Sequence, residues 1–141
     1  MVSLEEVKRR LLLGNRFVFI SAEKRNLSPE ANRSRTNQLE LWLRAMGSDY
    51  VPTLGRYDGG EEHRFFVHDF PQDDALWLAK RYDQESILTE KGLVYTNDGY
   101  LPLAKEGHKL DDEAIASENY TYFPTTGRAV SLALEKSKRK M

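Results

Sequence analysis

Side chains able to bind an anion are concentrated between the first strand-like segment and the helix-like segment that follows it. The stretch "KRN" contributes Arg25 and Asn26, and "NRSR" contributes Asn32 and Arg35 at the start of a predicted helix. A helix N-terminus offers unpaired N–H groups and a partial positive charge, and guanidinium groups pair with phosphate or carboxylate. The pattern predicts a binding site for a small anionic ligand. The alternative is an ordinary solvated helix face.

Three residues further along the chain are expected to complete this site. Tyr57 offers an aromatic face, Glu62 a carboxylate, and Gln84, at the start of a predicted strand, offers amide donors and an acceptor. For Gln84 the alternative is capping of the preceding helix. The predicted ligand-binding set is Arg25, Asn26, Asn32, Arg35, Tyr57, Glu62 and Gln84.

The stretch "RYDGGEEHRFFVHDF", residues 56–70, contains two of the three histidines. In a strand of period two, His63 and His68 face opposite ways, so a metal chelate using both is disfavoured and no metal site is expected. Either imidazole could act as a general base beside a carboxylate such as Glu62. This leaves a metal-independent hydrolase as an open alternative.

Composition excludes several classes of protein. There is no cysteine, so disulfides, zinc–thiolate sites and a cysteine nucleophile are ruled out, and a cytoplasmic location is expected. No glycine-rich phosphate loop, zinc-binding helix or serine elbow is present, so neither a catalytic residue nor a cofactor is assigned. No membrane segment is expected. Residues 58–118 hold fifteen acidic and six basic residues, which argues against specific binding of nucleic acid.

The chain has 141 residues, 40% of them hydrophobic and 30% charged, which predicts one domain over residues 1–141 with a frayed basic tail at 136–141. The fold class predicted is α/β (α+β), a single layered domain with a mixed, largely antiparallel sheet and helices packed on it. The predicted helices are 4–13, one from Ser28 to Gly47, 71–82, and a last one beginning at Thr125 or Thr126.

The strands of this sheet are predicted from alternation and turn residues. Residues 16–22 read as a central strand buried on both faces, and "DGG" at 58–60 joins two strands in a hairpin. Three short strands follow in a meander, at 84–90, 92–98 and 100–106. Residues 107–122 are predicted as a loop with one turn of helix.

The motifs "ANRSR", "PTLGRYDGGEE" and "AKRYDQES" resemble a family of small uncharacterised bacterial and bacteriophage proteins, catalogued as a domain of unknown function. The resemblance covers residues 16–89 and implies fold and provenance, with no established activity. Arg64 departs from the pattern, in which a small hydroxyl residue is typical. The matching positions are Asn32, Arg35, Gly55, Tyr57, Glu62, Gln84, Glu85 and Ser86.

Three functions compete on this basis. The leading hypothesis is a small soluble, non-enzymatic binding protein for an anionic, nucleotide-like ligand, phage-encoded and acting on host signalling or defence. It requires Arg25, Arg35 and Gln84 to converge in one pocket. The alternative is a protein-binding inhibitor or accessory factor that contacts a host protein through its acidic middle and aromatic hairpin. The third is the metal-independent hydrolase.

Overall fold

The computed structural model describes residues 2–12, 14, 16–57 and 59–135. Its strands are β1 Phe17–Ile20, β2 Asp49–Tyr57, β3 Gly60–His68, β4 Ser86–Thr89, β5 Gly92–Tyr95, β6 Tyr100–Pro102, β7 Lys109–Leu110, β8 Tyr120–Phe123 and β9 Arg128–Ser131. They form one sheet in the order β6-β5-β4-β1-β3-β2-β8-β9-β7, and each of these pairings is antiparallel. The predicted hairpin and meander are confirmed.

Helices pack on this sheet, so the predicted fold class is confirmed. Two begin at the serine caps that the sequence indicates: amide N–H groups of Glu6 and Ala31 donate to the hydroxyls of Ser3 and Ser28, each at 3.2 Å. None of the described helices is long and apolar enough to cross a membrane. The helices are α1 Leu4–Val7, which continues as a π-helical turn over Lys8–Leu12, α2 Pro29–Ala45, α3 Gln72–Arg81 and α4 Asp111–Ala116.

Strand β1 is buried along its whole length, as predicted, because it lies between β3 and β4 and is covered on both faces. Val18 and Ile20 face the core beneath α2 and α3. Phe17 and Phe19 face a second core on the other side of the sheet, where Phe19 packs edge-on against neighbouring rings. Burial from two sides explains the run of apolar residues at successive positions.

Two predictions for the last third of the chain are wrong. Residues 107–122 were expected to be a loop with one turn of helix. The turn of helix is present as α4, but the segment also contains the strand β7 and most of the strand β8. The expected C-terminal helix is instead the strand β9, which follows a turn at Gly127 with φ of +71° and pairs with both β8 and β7. Ala129 and Val130 are buried there, so pairing and burial across the sheet outweigh the helical propensity of the local sequence. The predicted tail at 136–141 lies outside the described residues.

The segment after β9 is held by His108, whose side chain is completely buried. Its Nε2 lies 2.7 Å from the carbonyl oxygen of Ala104, and its Nδ1 accepts the backbone N–H of Ala133 at 2.9 Å. This pattern requires a neutral imidazole protonated on Nε2. The buried histidine therefore fixes the chain on either side of Ala133, including Leu132 and Leu134.

A salt bridge between Arg128 and Asp111 ties β9 to the start of α4. The Arg128 guanidinium donates to Asp111 Oδ1 at 2.8 Å and holds the pKa of that carboxyl below its usual value. Because the folded-state pKa is lower than the unfolded-state pKa, the ionised carboxyl stabilises the protein at pH values above the unfolded-state pKa. This stabilisation is lost as the pH falls through the folded-state pKa.

We therefore expect Asp111→Asn to lower the free energy of unfolding at pH 7 by under about 1 kcal/mol, as for other partly exposed ion pairs. The difference from wild type should shrink as the pH falls below about 4, where the unfolded carboxyl takes up a proton. Asparagine tolerates the φ of +52° found at this position. Urea unfolding at several pH values measures the effect, with the exposed neighbour Asp112→Asn as control. A loss independent of pH would contradict this account.

Candidate functional site

Two adjoining cavities meet at the β2–β3 hairpin, and we call them together the hairpin cleft. Their volumes are about 290 and 170 Å³, and both are lined by Tyr57, Glu62 and Arg64. The larger cavity is further lined by Phe19, Ser21, Gln84, Ser86, Ile87, Leu88, Leu93, Leu132 and Leu134. The smaller is further lined by Glu23, Lys24, Arg25, Asn32, Gly60 and Glu61.

The hairpin register explains why two charged residues of β3 meet in this cleft. Glu62 and Arg64 are two positions apart, so their side chains project from the same face of the strand. Gly55 pairs with Glu62 on the neighbouring strand β2. A Cβ at position 55 would lie within 2.6 Å of Nε and Nη1 of Arg64, so only glycine leaves room for the guanidinium there.

Arg64 is the central charged group of the hairpin cleft, although its side chain is only 12% exposed. Its Nε donates to Glu62 Oε1 at 2.8 Å, and its Nη1 donates to the hydroxyl of Thr121 at 3.1 Å. The guanidinium carbon lies 4.7 Å from the centre of the Tyr57 ring, within the range of a cation–π interaction. Arg64 was absent from the predicted set, although its position two residues after Glu62 placed it on the same strand face.

Glu23 is a second residue that sequence reasoning missed. Its side chain is 15% exposed, its Oε1 accepts the backbone N–H of His63 at 2.8 Å, and its Oε2 lies 3.2 Å from His63 Nδ1. These contacts join positions 40 residues apart, so no local pattern points to them. Ser21 adds a further link, because its hydroxyl donates to the carbonyl of His63 at 2.9 Å.

Five of the seven predicted site residues line the hairpin cleft: Arg25, Asn32, Tyr57, Glu62 and Gln84. Asn32 fixes the loop beside it, since its side chain both accepts from and donates to the backbone of Lys24 at 2.9 Å. Gln84 donates through Nε2 to the carbonyl of Glu23 at 3.0 Å. The amide groups thus hold the polar loop in place while the charged groups face the cavity.

Arg35 and Asn26 do not line either cavity. The guanidinium of Arg35 donates to the carbonyl of Ala22 at 2.7 Å and to the carbonyl of Tyr82, so it ties the loop after β1 to the end of α3. Asn26 is exposed in a turn. The condition that Arg25, Arg35 and Gln84 share one pocket is therefore not met.

The predicted pairing of a histidine with Glu62 is also absent among the described residues. His63 faces Glu23 on the opposite side of β3, and His68 packs against Gly14 at the far end of the strand. Over the same residues, no group of three histidine, aspartate or glutamate side chains is placed to hold a metal ion. The histidine–Glu62 pair proposed for a hydrolase is therefore not formed, and the carboxylate beside His63 is that of Glu23.

A larger cleft of about 610 Å³ lies between α3 and the β5–β6 turn. Lys80, Lys91 and Tyr100 are among its lining residues. None of the seven predicted site residues lines this cleft, whereas five of them line the hairpin cleft. We place the functional site at the hairpin cleft for this reason.

The chemistry available in the hairpin cleft is that of a cation site with an apolar wall. The Glu62 carboxylate and the face of the Tyr57 ring both contact the Arg64 guanidinium, and both attract positive charge. The side chains of Leu88, Leu93 and Leu134 line the other end of the larger cavity. A small molecule with a cationic centre and an apolar body matches both ends.

The model of one protein family, described as the S-adenosylmethionine lyase family, matches residues 18–128. No curated protein matches the chain. The family-level resemblance predicted for 16–89 is thus confirmed over a longer segment, and the matched family carries a named activity. Both the predicted non-enzymatic binding protein and the predicted protein-binding inhibitor are wrong, because a lyase family consists of enzymes.

Proposed function

Because the chain belongs to the S-adenosylmethionine lyase family, we propose that it breaks a carbon–sulfur bond of S-adenosylmethionine in the hairpin cleft. The observation that carries this proposal is the family match over residues 18–128, which spans every lining residue of the cleft except Leu132 and Leu134. The cleft supplies two features that suit this substrate, groups that attract a cation and an apolar wall against which the adenine ring can pack.

The charge of the substrate fits Glu62 and Tyr57. S-Adenosylmethionine carries a sulfonium cation between a nucleoside and an amino acid, and its net charge at neutral pH is positive. The Glu62 carboxylate and the Tyr57 ring would hold the sulfonium, and the exposed guanidinium of Arg25 in the smaller cavity would pair with the substrate carboxylate. The proposed substrate contains a nucleoside and is cationic, whereas the sequence analysis predicted an anionic, nucleotide-like ligand.

The apolar wall favours the chemical step. A lyase breaks a bond without adding water or transferring electrons to an acceptor. The electron pair of the broken carbon–sulfur bond stays on sulfur, which leaves as a neutral thioether. The carbon fragment completes its valence by bonding to the substrate's own carboxylate or by losing a proton from a neighbouring carbon. The positive charge on sulfur therefore fades along the reaction. An environment such as that of Leu88, Leu93 and Leu134 disfavours the charged reactant relative to the less charged transition state. The chain would contribute orientation and exclusion of water.

The direct test is to incubate the purified chain with S-adenosylmethionine and separate the products by liquid chromatography and mass spectrometry. We expect loss of the substrate and appearance of a neutral thioether, whose mass identifies the bond that breaks. In heavy-oxygen water, the other product released in the first turnovers should carry no solvent oxygen. Heavy oxygen in that product would indicate hydrolysis, and an undiminished substrate would refute the proposed activity.

A bacteriophage source, a role directed at the host and a cytoplasmic location stay predictions. The proposed reaction is compatible with them, since it would remove the methyl donor on which other enzymes depend. No role for nucleic acid or a host protein is needed for cleavage of a small molecule in the hairpin cleft.

A further inference from the structure

We infer that Arg64 is an internal cation that competes with the substrate sulfonium for the site formed by Glu62 and Tyr57, and thereby sets the affinity for cationic substrates. This inference rests on the proposed cleavage of S-adenosylmethionine. It concerns a residue for which neither the family match nor the sequence motifs suggest a role.

The first step is that Arg64 already occupies the cation site. Its Nε lies 2.8 Å from Glu62 Oε1 while its guanidinium carbon lies 4.7 Å from the Tyr57 ring centre. These are the two groups in the shared part of both cavities that attract positive charge. Gly55 keeps the space clear for the guanidinium, so its placement there is a built feature of the hairpin.

The second step is that two cations cannot share this site. A sulfonium and a guanidinium carry the same charge, and at van der Waals separation in a partly dry cleft their repulsion is much stronger than in water. A sulfonium that reaches Glu62 therefore has to displace Arg64, and the lost contacts subtract from the binding free energy. Affinity for a cation is reduced while affinity for a neutral analogue is unaffected by this competition.

The third step is that the Arg64 guanidinium can move to a second position within the cleft. It lines the smaller cavity as well as the larger one, and the smaller cavity is also lined by the carboxylate residues Glu23 and Glu61. A guanidinium displaced from Glu62 can swing toward them and stay paired with negative charge. The hydrogen bond to Thr121 is the contact that it gives up without a charged replacement.

The test compares binding of S-adenosylmethionine with binding of S-adenosylhomocysteine, the neutral thioether of similar shape. Binding can be measured by rapid mixing at low temperature, before the substrate is cleaved. In this measurement Arg64→Ser should bind S-adenosylmethionine about tenfold more tightly, the scale of one partly desolvated cation–π contact. Binding of S-adenosylhomocysteine should change by less than about twofold on the same scale. In steady-state cleavage, KM for S-adenosylmethionine should fall more than kcat changes.

Arg16→Ser is the matched control, because Arg16 pairs with Asp69 at 2.9 Å and neither residue lines a cavity of the cleft. It removes the same charge and should leave both affinities unchanged. Arg64→Gln keeps most of the side-chain stem and should tighten binding in the same direction, which covers failure of the serine variant to fold.

Unchanged or weaker binding of S-adenosylmethionine by Arg64→Ser and Arg64→Gln would overturn the competition. Weaker binding would instead make Arg64 a direct contact of the substrate. Equal changes for both ligands would also overturn it, because competition for a cation site discriminates by charge. These outcomes are separate from the proposed function, which is tested by whether wild type cleaves S-adenosylmethionine without adding water.

Discussion

Glu62→Gln is expected to lower kcat/KM for cleavage of S-adenosylmethionine by about tenfold or more, mainly through a higher KM, because the positive charge that Glu62 attracts is greatest in the bound reactant. The substitution keeps the shape of the side chain and one acceptor oxygen while deleting its charge. The loss therefore reports the charge of Glu62 rather than its volume.

Two effects act in the same direction in this variant. The sulfonium loses its counter-charge, and Arg64 loses the carboxylate that neutralises it at 2.8 Å. The uncompensated guanidinium would then repel a cationic substrate from the Tyr57 face. Because both effects act on binding of a cation, we expect affinity for S-adenosylmethionine to fall more than affinity for S-adenosylhomocysteine.

Glu85→Gln is the matched control for this experiment. Glu85 is an exposed glutamate directly after Gln84 and lines neither cavity of the hairpin cleft. Its substitution changes the net charge equally and should leave kcat/KM within about twofold of wild type, as expected of a surface position. Full activity in Glu62→Gln, with normal folding by circular dichroism, would move the reaction away from the hairpin cleft.

The elements that sequence reasoning predicted correctly are those with local signals. Helix α2 begins at Ser28 with proline at its first position and ends before Gly47, whose φ is +68°. The β2–β3 hairpin follows from its glycines between aromatic-rich runs. In both cases the deciding interactions lie within a few residues of one another, where composition and spacing are informative.

The strand β9 and the charged contacts of the site could not be predicted from local patterns, because both depend on contacts between residues far apart in the sequence. The segment after β9, beside the cleft, is held by His108, whose Nδ1 accepts a hydrogen bond from the backbone N–H of Ala133, 25 residues away. Arg35 was expected to face an anion, but the carbonyls of Ala22 and Tyr82 engage its guanidinium. A residue type that suits a ligand suits backbone carbonyls equally well, so the presence of Arg35 in the sequence does not by itself identify an anion site.

Gly92→Ala is expected to destabilise the protein by about 3 kcal/mol or more, because it combines an unfavourable φ with a collision against backbone atoms. Gly92 opens β5 with φ of +127°. A Cβ there would lie 2.8 Å from the backbone nitrogen of Leu103 and closer still to the carbonyl oxygen of Leu101. Backbone atoms of a paired strand cannot rotate away as a side chain can.

Gly47→Ala separates the two causes. Gly47 also has a positive φ, of +68°, but no atom outside its own neighbours lies within 4 Å of its added Cβ. The substitution should lower the free energy of unfolding by only about 1 to 2 kcal/mol, the penalty of left-handed backbone for an L-residue.

Urea unfolding followed by circular dichroism measures both variants. Equal losses would show that β5 and β6 shift apart freely. A larger loss in Gly92→Ala identifies the β5–β6 pairing as rigid, and this pairing sets the position of Leu93 in the wall of the hairpin cleft.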